Sequence, residues 1–375
     1  MIYFDNAATT YPKPECVYKR LDIVNRNAFN TGRGSYNVAK EASKIKENVR
    51  EKILKLNNLS EGKVVYECSA TRALNDIIFG INLKNNDNVY ISPFEHNSII
   101  RPLEELKKRI GINIIELPFD KNEWMPDLEK INNLFAIQKP SAIILSHISN
   151  VTGYIVPYNE IFELGNKYNS INILDSAQGY GIVKIGDVKN ISYIVFAGHK
   201  SLYGSFGIAG FIKLKGDVLK HNIFGGTGSD TMNFNMSNLY PDGYEAGSSN
   251  IVAISSLDTS IDWLMENDVF SHESEITQYL IDELKKINKV KVFVPEKCNK
   301  IFGVVSIAVE GYSSEDVGQI LNDEFDICVR TGYHCTPLVH EFIESTNYLG
   351  TVRISLSYFS TKEEIDILIE ALKTL

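Results

Sequence analysis

The sequence predicts an α/β protein, a mostly parallel sheet covered by helices on both faces, followed by a smaller α+β domain. Three observations predict it. Short runs rich in Val, Ile, Tyr and Phe alternate with amphipathic stretches from residue 64 to about 214. Those runs are nearly all apolar, as strands buried on both faces must be. From about residue 250 a long helical stretch opens a different pattern. A chain of 375 residues, 44% of them hydrophobic, can bury cores of this size.

Each element follows from its own pattern. Val38, Ala42, Ile45, Val49, Ile53 and Leu56 recur at helical spacing and predict a helix over 37–57. Strands are predicted at 64–68, 88–92, 113–117, 142–146, 172–175, 193–197 and 207–214, seven in all. Helical patterns fall between most of them, as at 99–110, 127–138 and 158–168. The step from 193–197 to 207–214 is short enough for an antiparallel pair. A helical stretch over 251–287 then leads into strands at 290–294, 304–309, 327–330 and 351–355. Helices flank these at 314–323 and 361–373, where Thr361 and Glu364 form a capping box. The expected division is a large domain over 13–250 and a small one over 251–375, with residues 1–12 packing on the small one.

Composition excludes several classes. The net charge is −9 with no block of lysines and arginines, which disfavours binding to nucleic acid or an anionic membrane. The start, MIYFDNAATTYPKP, shows no signal peptide, and no segment reaches the ~18 apolar residues of a membrane span. Cysteines at 16, 68, 298, 328 and 335 are odd in number and irregularly spaced. They form neither a disulfide framework nor a CxxC zinc site, and they suit a reducing cytoplasm. Cys68 and Cys328 fall in strand patterns and read as buried packing. Cys335, in CVRTGYHCTPL, reads as a loop thiol.

Ligands of open α/β sheets sit beyond the carboxyl ends of the strands. Those ends carry Ser69-Ala70-Thr71, His96, Asn150, Asp175 to Gln178 and His199-Lys200. A lysine in such a position points into solvent in most proteins. In a crevice it would lose solvation and serve as a Schiff-base amine, as pyridoxal phosphate requires. That cofactor also needs a carboxylate at its ring nitrogen, and Asp175 ends a strand. It needs an anion cradle too, and Ser69-Ala70-Thr71 opens an amphipathic helix. Asp175 and Ser69 read equally as ordinary helix caps. His96 could stack on a ring or lie on the surface.

Nine short motifs carry a family resemblance. FDNAATT (4–10), SATRALN (69–75), EHNS (95–98), SNVTG (149–153), LDSAQ (174–178), AGHK (197–200), YEAGS (244–248), RTGYHC (330–335) and TVRIS (351–355) occur in this order. Together they resemble the cysteine desulfurases and selenocysteine lyases, of the class V aminotransferase group. The resemblance implies a fold-type I pyridoxal-phosphate transferase and a homodimer with shared active sites. It implies that Lys200 forms the Schiff base and moves the substrate Cα proton, with His96 stacked on the ring and assisting. Asp175 would hold the ring nitrogen and Gln178 the phenolic oxygen. Ala70, Thr71 and His199 would hold the phosphate, and Ser248 would reach the phosphate of the neighbouring subunit. Arg353 would clamp the substrate carboxylate beside Asn150, and Cys335 would take the sulfur as a persulfide for a protein acceptor. A cationic neighbour, His334 among the candidates, would keep Cys335 a thiolate.

Arg353 lies 18 residues beyond Cys335, a short separation that resembles group II members of the family. Three positions depart from the family pattern. Ala197 replaces a serine or threonine, Arg72 replaces an acidic residue, and Tyr36 stands where histidine is common after Arg33-Gly34. The implied reaction converts L-cysteine to L-alanine. Selenocysteine lyase and aminotransferase activities are the alternatives within the fold, and a scaffold without catalysis is the alternative outside it.

Overall fold

The computed structural model describes residues 1–27, 30–31, 34–228, 232–297 and 300–375. Arg33 and Cys298 lie outside the described residues. The seven strands form one sheet, in the order Lys63–Glu67, Ala209–Lys213, Tyr193–Ala197, Ile171–Asp175, Pro140–Ser146, Asn88–Ile91 and Asn113–Glu116. Only Ala209–Lys213 runs against its neighbours. The other six strands therefore end on the same edge, and functional residues gather there.

Both faces of the sheet are buried, which is why its strands read as apolar runs. Ile143, Leu145, Leu174, Ile194 and Phe196 point into one core. Ala142, Ile144, Ile173, Val195 and Phe211 alternate with them into the other, against Leu74 and Ile77 of helix Ala70–Gly80. Each such fully buried branched side chain stabilises the fold by ~1.5–3 kcal/mol. Gly210 is needed where two strands close up, because a Cβ there would stand 2.1 Å from the Val65 carbonyl oxygen.

A second, four-stranded antiparallel sheet runs Arg330–Gly332, Thr351–Ser355, Val304–Val309 and Val290–Val292. Helices Val269–Leu284, Ser314–Phe325 and Lys362–Thr374 cover it, and the last carries the capping box of Thr361 and Glu364.

The structure corrects several expectations. The stretch 251–287 is two helices, Ile251–Glu266 and Val269–Leu284, because the Asp268 side chain accepts from the Ser271 N–H and caps a new start. The first of them packs into the large-sheet core through Ile254, Leu257 and Ile261. The strand expected at 327–330 divides into Ile327–Cys328 and Arg330–Gly332, which join different sheets. Ile327–Cys328 pairs in parallel with Ile2–Tyr3, an N-terminal strand too short to show a period. Helix Glu15–Asn27 also escaped the sequence reading, since it buries only Val17 and Val24. Among the described residues no helix is long and apolar enough to cross a membrane.

Candidate active site

A crevice opens at the shared strand edge. Its walls include Ala70, Thr71, His96, Asn150, Asp175, Gln178, His199 and Lys200, seven residues expected around a cofactor together with Asn150. Four strands and one helix deliver them, so the crevice exists only once the sheet has formed. Ser248 does not line it; it lies in a separate pocket with Glu67, Arg72 and Glu245.

One end of the crevice suits an anion. Ser69 caps helix Ala70–Gly80 by accepting from the Arg72 N–H at 3.2 Å, so the cap reading of Ser69 holds. The first N–H groups of that helix have no partner within it, and the helix dipole favours negative charge there. Among the described residues the buried Nδ1 of His199 has no hydrogen-bond partner, and its ring stacks on Phe206 at 4.6 Å. Burial, with the charges of Lys200 and Lys13, lowers the His199 pKa to about 3. Ala197 is buried on the same wall and contributes no hydroxyl.

The other end carries the acid–base groups. Burial pushes the Lys200 amine down to about 8, opposed by Asp175 and reinforced by Arg353 and Arg330. Burial raises the Asp175 pKa, against the hydrogen bond from the Ala177 N–H at 3.0 Å and the charge of Lys200. His96 caps helix Asn97–Ile110: its Nδ1 accepts from the Ser98 N–H at 3.0 Å. The neutral ring then carries its proton on Nε2. Desolvation and the charges of Lys200, Arg353, Arg101 and Arg330 lower its pKa to about 4, so it is neutral at physiological pH. Gln178 donates to the Ala7 carbonyl at 2.9 Å, and its amide has a further N–H and an oxygen to offer.

These groups fit pyridoxal phosphate. The unpartnered His199 nitrogen and free helix N–H groups suit a phosphate, the desolvated lysine suits an aldehyde, and the buried carboxylate suits a protonated ring nitrogen.

Arg353 lies beside the crevice, buried on strand Thr351–Ser355. Its guanidinium donates to Asp5 at 2.6 Å and to the Asn150 carbonyl at 3.1 Å, while Nε has no partner among the described residues. Arg330 is the second cation near Asp5, at 3.9 Å. Asp5 was missed as a site residue although it stands inside the FDNAATT motif. Glu95 was missed too. It is fully buried, accepts from Ser92 and Ser146, and is pushed up to about 7 by burial.

The Cys335 thiol is exposed, and the groove it lines shares Thr71, His96 and Ser98 with the crevice. Its loop is held by backbone. Asn97 N–H donates to the Cys335 carbonyl at 2.7 Å, and His334 and Cys335 both adopt left-handed φ, at 48° and 60°. Asn150 spends its side chain on this loop, donating to the His334 carbonyl at 2.8 Å and accepting from Thr336 at 2.7 Å. His334 is corrected as an activator of Cys335. Its buried Nε2 faces Thr351, and burial holds its pKa far below the usual range, so it brings no positive charge. Cys68 is also corrected: it follows its strand and is exposed beside Arg72, rather than buried. Cys328 is half-buried in its two-residue strand.

The architecture has known counterparts. An apo cysteine desulfurase from Thermococcus onnurineus superposes with a TM-score of 0.90 at 24% identity, over 100% of this chain and 94% of that one. The Escherichia coli cysteine desulfurase CsdA follows at 0.82 and 23%, over 99% and 94%; both show the fold. A probable cysteine desulfurase of Halalkalibacterium halodurans is 30% identical over 100% of this chain and 92% of its own length. Another, from Methanothermobacter thermautotrophicus, is 28% identical over 99% and 94%. The family model Aminotransferase class-V matches residues 2–368, which takes in the lysine crevice, the cysteine loop and the Arg353 strand alike. With motif order, fold and full-length relatives in agreement, the chain belongs to the class-V aminotransferase family.

Proposed function

We propose that the protein is a cysteine desulfurase that converts L-cysteine to L-alanine and keeps the sulfur as a persulfide on Cys335. The observation that carries this reading is the exposed Cys335 thiol at a groove whose walls continue into the Lys200 crevice. An aminotransferase has no use for that thiol. Enzymes of this family generally depend on pyridoxal phosphate. Lys200 and Asp175 would hold its two ends of reactivity, with Thr71, the Ala70 N–H and His199 at the phosphate and Gln178 at the phenolic oxygen. When bound, that group withdraws electrons from the substrate Cα and makes its C–H acidic.

The residues of the chain do the rest. Lys200, partly neutral near pH 8, moves the Cα proton. His96, neutral, presents its Nε2–H from a fixed ring. Arg353 seats the substrate carboxylate, exchanging its bond to Asp5 for the ligand. Cys335 as thiolate attacks the substrate sulfur. The S–S bond forms as the C–S bond breaks, and the freed carbon takes a proton to become the methyl of alanine.

We place the working enzyme in the cytoplasm, as a homodimer in which Ser248 reaches the partner's phosphate. We also propose a division into a large domain over 13–250 and a small one over 251–375 with residues 1–12 packed on it; helix Ile251–Glu266 packs against the large core across that boundary. The test is an L-cysteine assay on holoenzyme with dithiothreitol. Alanine and sulfide should appear in equal amounts, and Cys335→Ala should lose sulfide release while still binding cofactor. Undiminished release by Cys335→Ala would overturn the role of Cys335. Faster turnover of selenocysteine, insensitive to that change, would favour a selenocysteine lyase.

A further inference from the structure

From the Cys335 thiol a groove of about 470 Å³ runs outward. Its walls are helices Ala70–Gly80 and Asn97–Ile110, packed side by side with their first turns at the crevice. Thr71, Asn75 and Phe79 line one wall, and Asn97, Arg101, Glu105 and Arg109 the other. Steps of four residues keep side chains on one helical face, so two rows flank the groove. The two turns from Thr71 to Phe79 span about 12 Å, room for about three or four residues of extended chain.

The charges in this groove are unbalanced. Glu105 and Arg109 neutralise each other at 2.8 Å. Arg101 is exposed and makes no ion pair among the described residues. Its field reaches His96 at the head of the groove, where Lys200 and the Asp5-paired Arg353 and Arg330 also act. The whole chain carries −9, so this cationic head is a local exception that attracts anions.

We propose that this groove seats the thiol that removes sulfur from Cys335, and that Arg101 selects acceptors carrying a carboxylate next to that thiol, such as an acidic peptide segment. The proposal rests on the desulfurase reading above. In the transfer, the acceptor thiolate attacks the outer sulfur of the Cys335 persulfide. A new S–S bond forms, the old one breaks, and its electron pair leaves on the Cys335 Sγ. The proton stays on the transferred sulfur, and no outside oxidant or reductant is needed.

The test uses holoenzyme loaded once with L-cysteine and then mixed with mercaptopropionate, mercaptoethanol or cysteamine. These thiols are small and carry negative, no and positive charge. The readout is the rate of persulfide loss, taken as the ratio of variant to wild type for each thiol, so that intrinsic thiol reactivity cancels. Arg101→Glu should slow the anionic thiol about two- to fivefold relative to the neutral one and favour the cationic one. Arg101→Lys should keep the wild-type order. Raising the salt concentration should shrink the wild-type preference for the anion. Identical ratios for all three thiols in Arg101→Glu, or a salt-independent preference, would overturn the proposal. Failure of the desulfurase reading looks different: wild type would then make no alanine from L-cysteine.

Discussion

The side-chain amide of Asn150 donates to the carbonyl of His334 at 2.8 Å, and its oxygen accepts from Thr336 at 2.7 Å. The same residue's backbone carbonyl accepts from Arg353 at 3.1 Å. Asn150 thus joins the cysteine loop to the arginine through one residue. The loop needs such a tie, because left-handed φ at the non-glycine His334 and Cys335 costs energy that only fixed partners hold in place.

Thr336→Val should therefore mimic part of an Asn150→Ala change. It removes one of the two side-chain bonds of the tie and leaves the Asn150 carbonyl that holds Arg353 in place. A misplaced thiol lowers kcat for sulfide release by up to about 100-fold, whereas KM for L-cysteine should stay near wild type in Thr336→Val. Steady-state kinetics of the two variants provide the check. A pure KM effect in both would show that the tie does not position Cys335.

Asp5 neutralises a buried arginine at 2.6 Å. In Asp5→Asn the Arg353 cation keeps only neutral partners, and the loss of stability should be ~2–4 kcal/mol, moderated because Asp5 is partly exposed. Denaturant unfolding measures it. Saturating L-alanine should recover more of the loss in the variant than it adds to wild type, since its carboxylate takes the vacated place beside Arg353.

The Lys200 amine, held down to about 8 by burial, is neutral above that pH and protonated below it. Capture of pyridoxal phosphate by cofactor-free protein should accelerate as pH rises and reach half its maximum near pH 8. An exposed lysine would place the midpoint near 10.4. Asp175→Asn removes the charge that favours the ammonium form and should move the midpoint lower. Stopped-flow absorbance follows both.

Glu273 is fully buried against the Tyr203 hydroxyl at 2.6 Å, and burial pushes it up to about 8. Its folded pKa exceeds the unfolded one, so the native state retains a proton that the unfolded chain releases. Stability from this group is complete below pH 4.5, falls from there to about 8, and is gone above it. Glu273→Gln should match wild type in acid and exceed it in alkali, by on the order of a few kcal/mol. Thermal melts across that range show whether the curves diverge with this sign.

Much of this protein was legible in the chain. The seven strands could be read because burial on both faces makes each an apolar run. The crevice could be read because strand ends concentrate Thr71, His96, Asp175 and Lys200. What failed to show were the short or two-sided elements. Ile2–Tyr3 has two residues and no period, and its partner strand lies more than 300 positions away. The break at Asp268 was hidden because both flanking helices share apolar spacing, and only its capping bond reveals the new start.

The sequence by itself determined the kind of chemistry, through residue types in a family order: an amine, a carboxylate, an anion cradle and a loop thiol. Tertiary structure alone decided which of these groups have partners already. It gave Arg353 to Asp5, Asn150 to the cysteine loop and His334 to Thr351, and among the described residues it left the His199 nitrogen, the Cys335 thiol and Arg101 open. The reason is distance along the chain. Hydrogen bonds and desolvation act over a few ångströms, and these partners are brought within that range only when the two sheets meet.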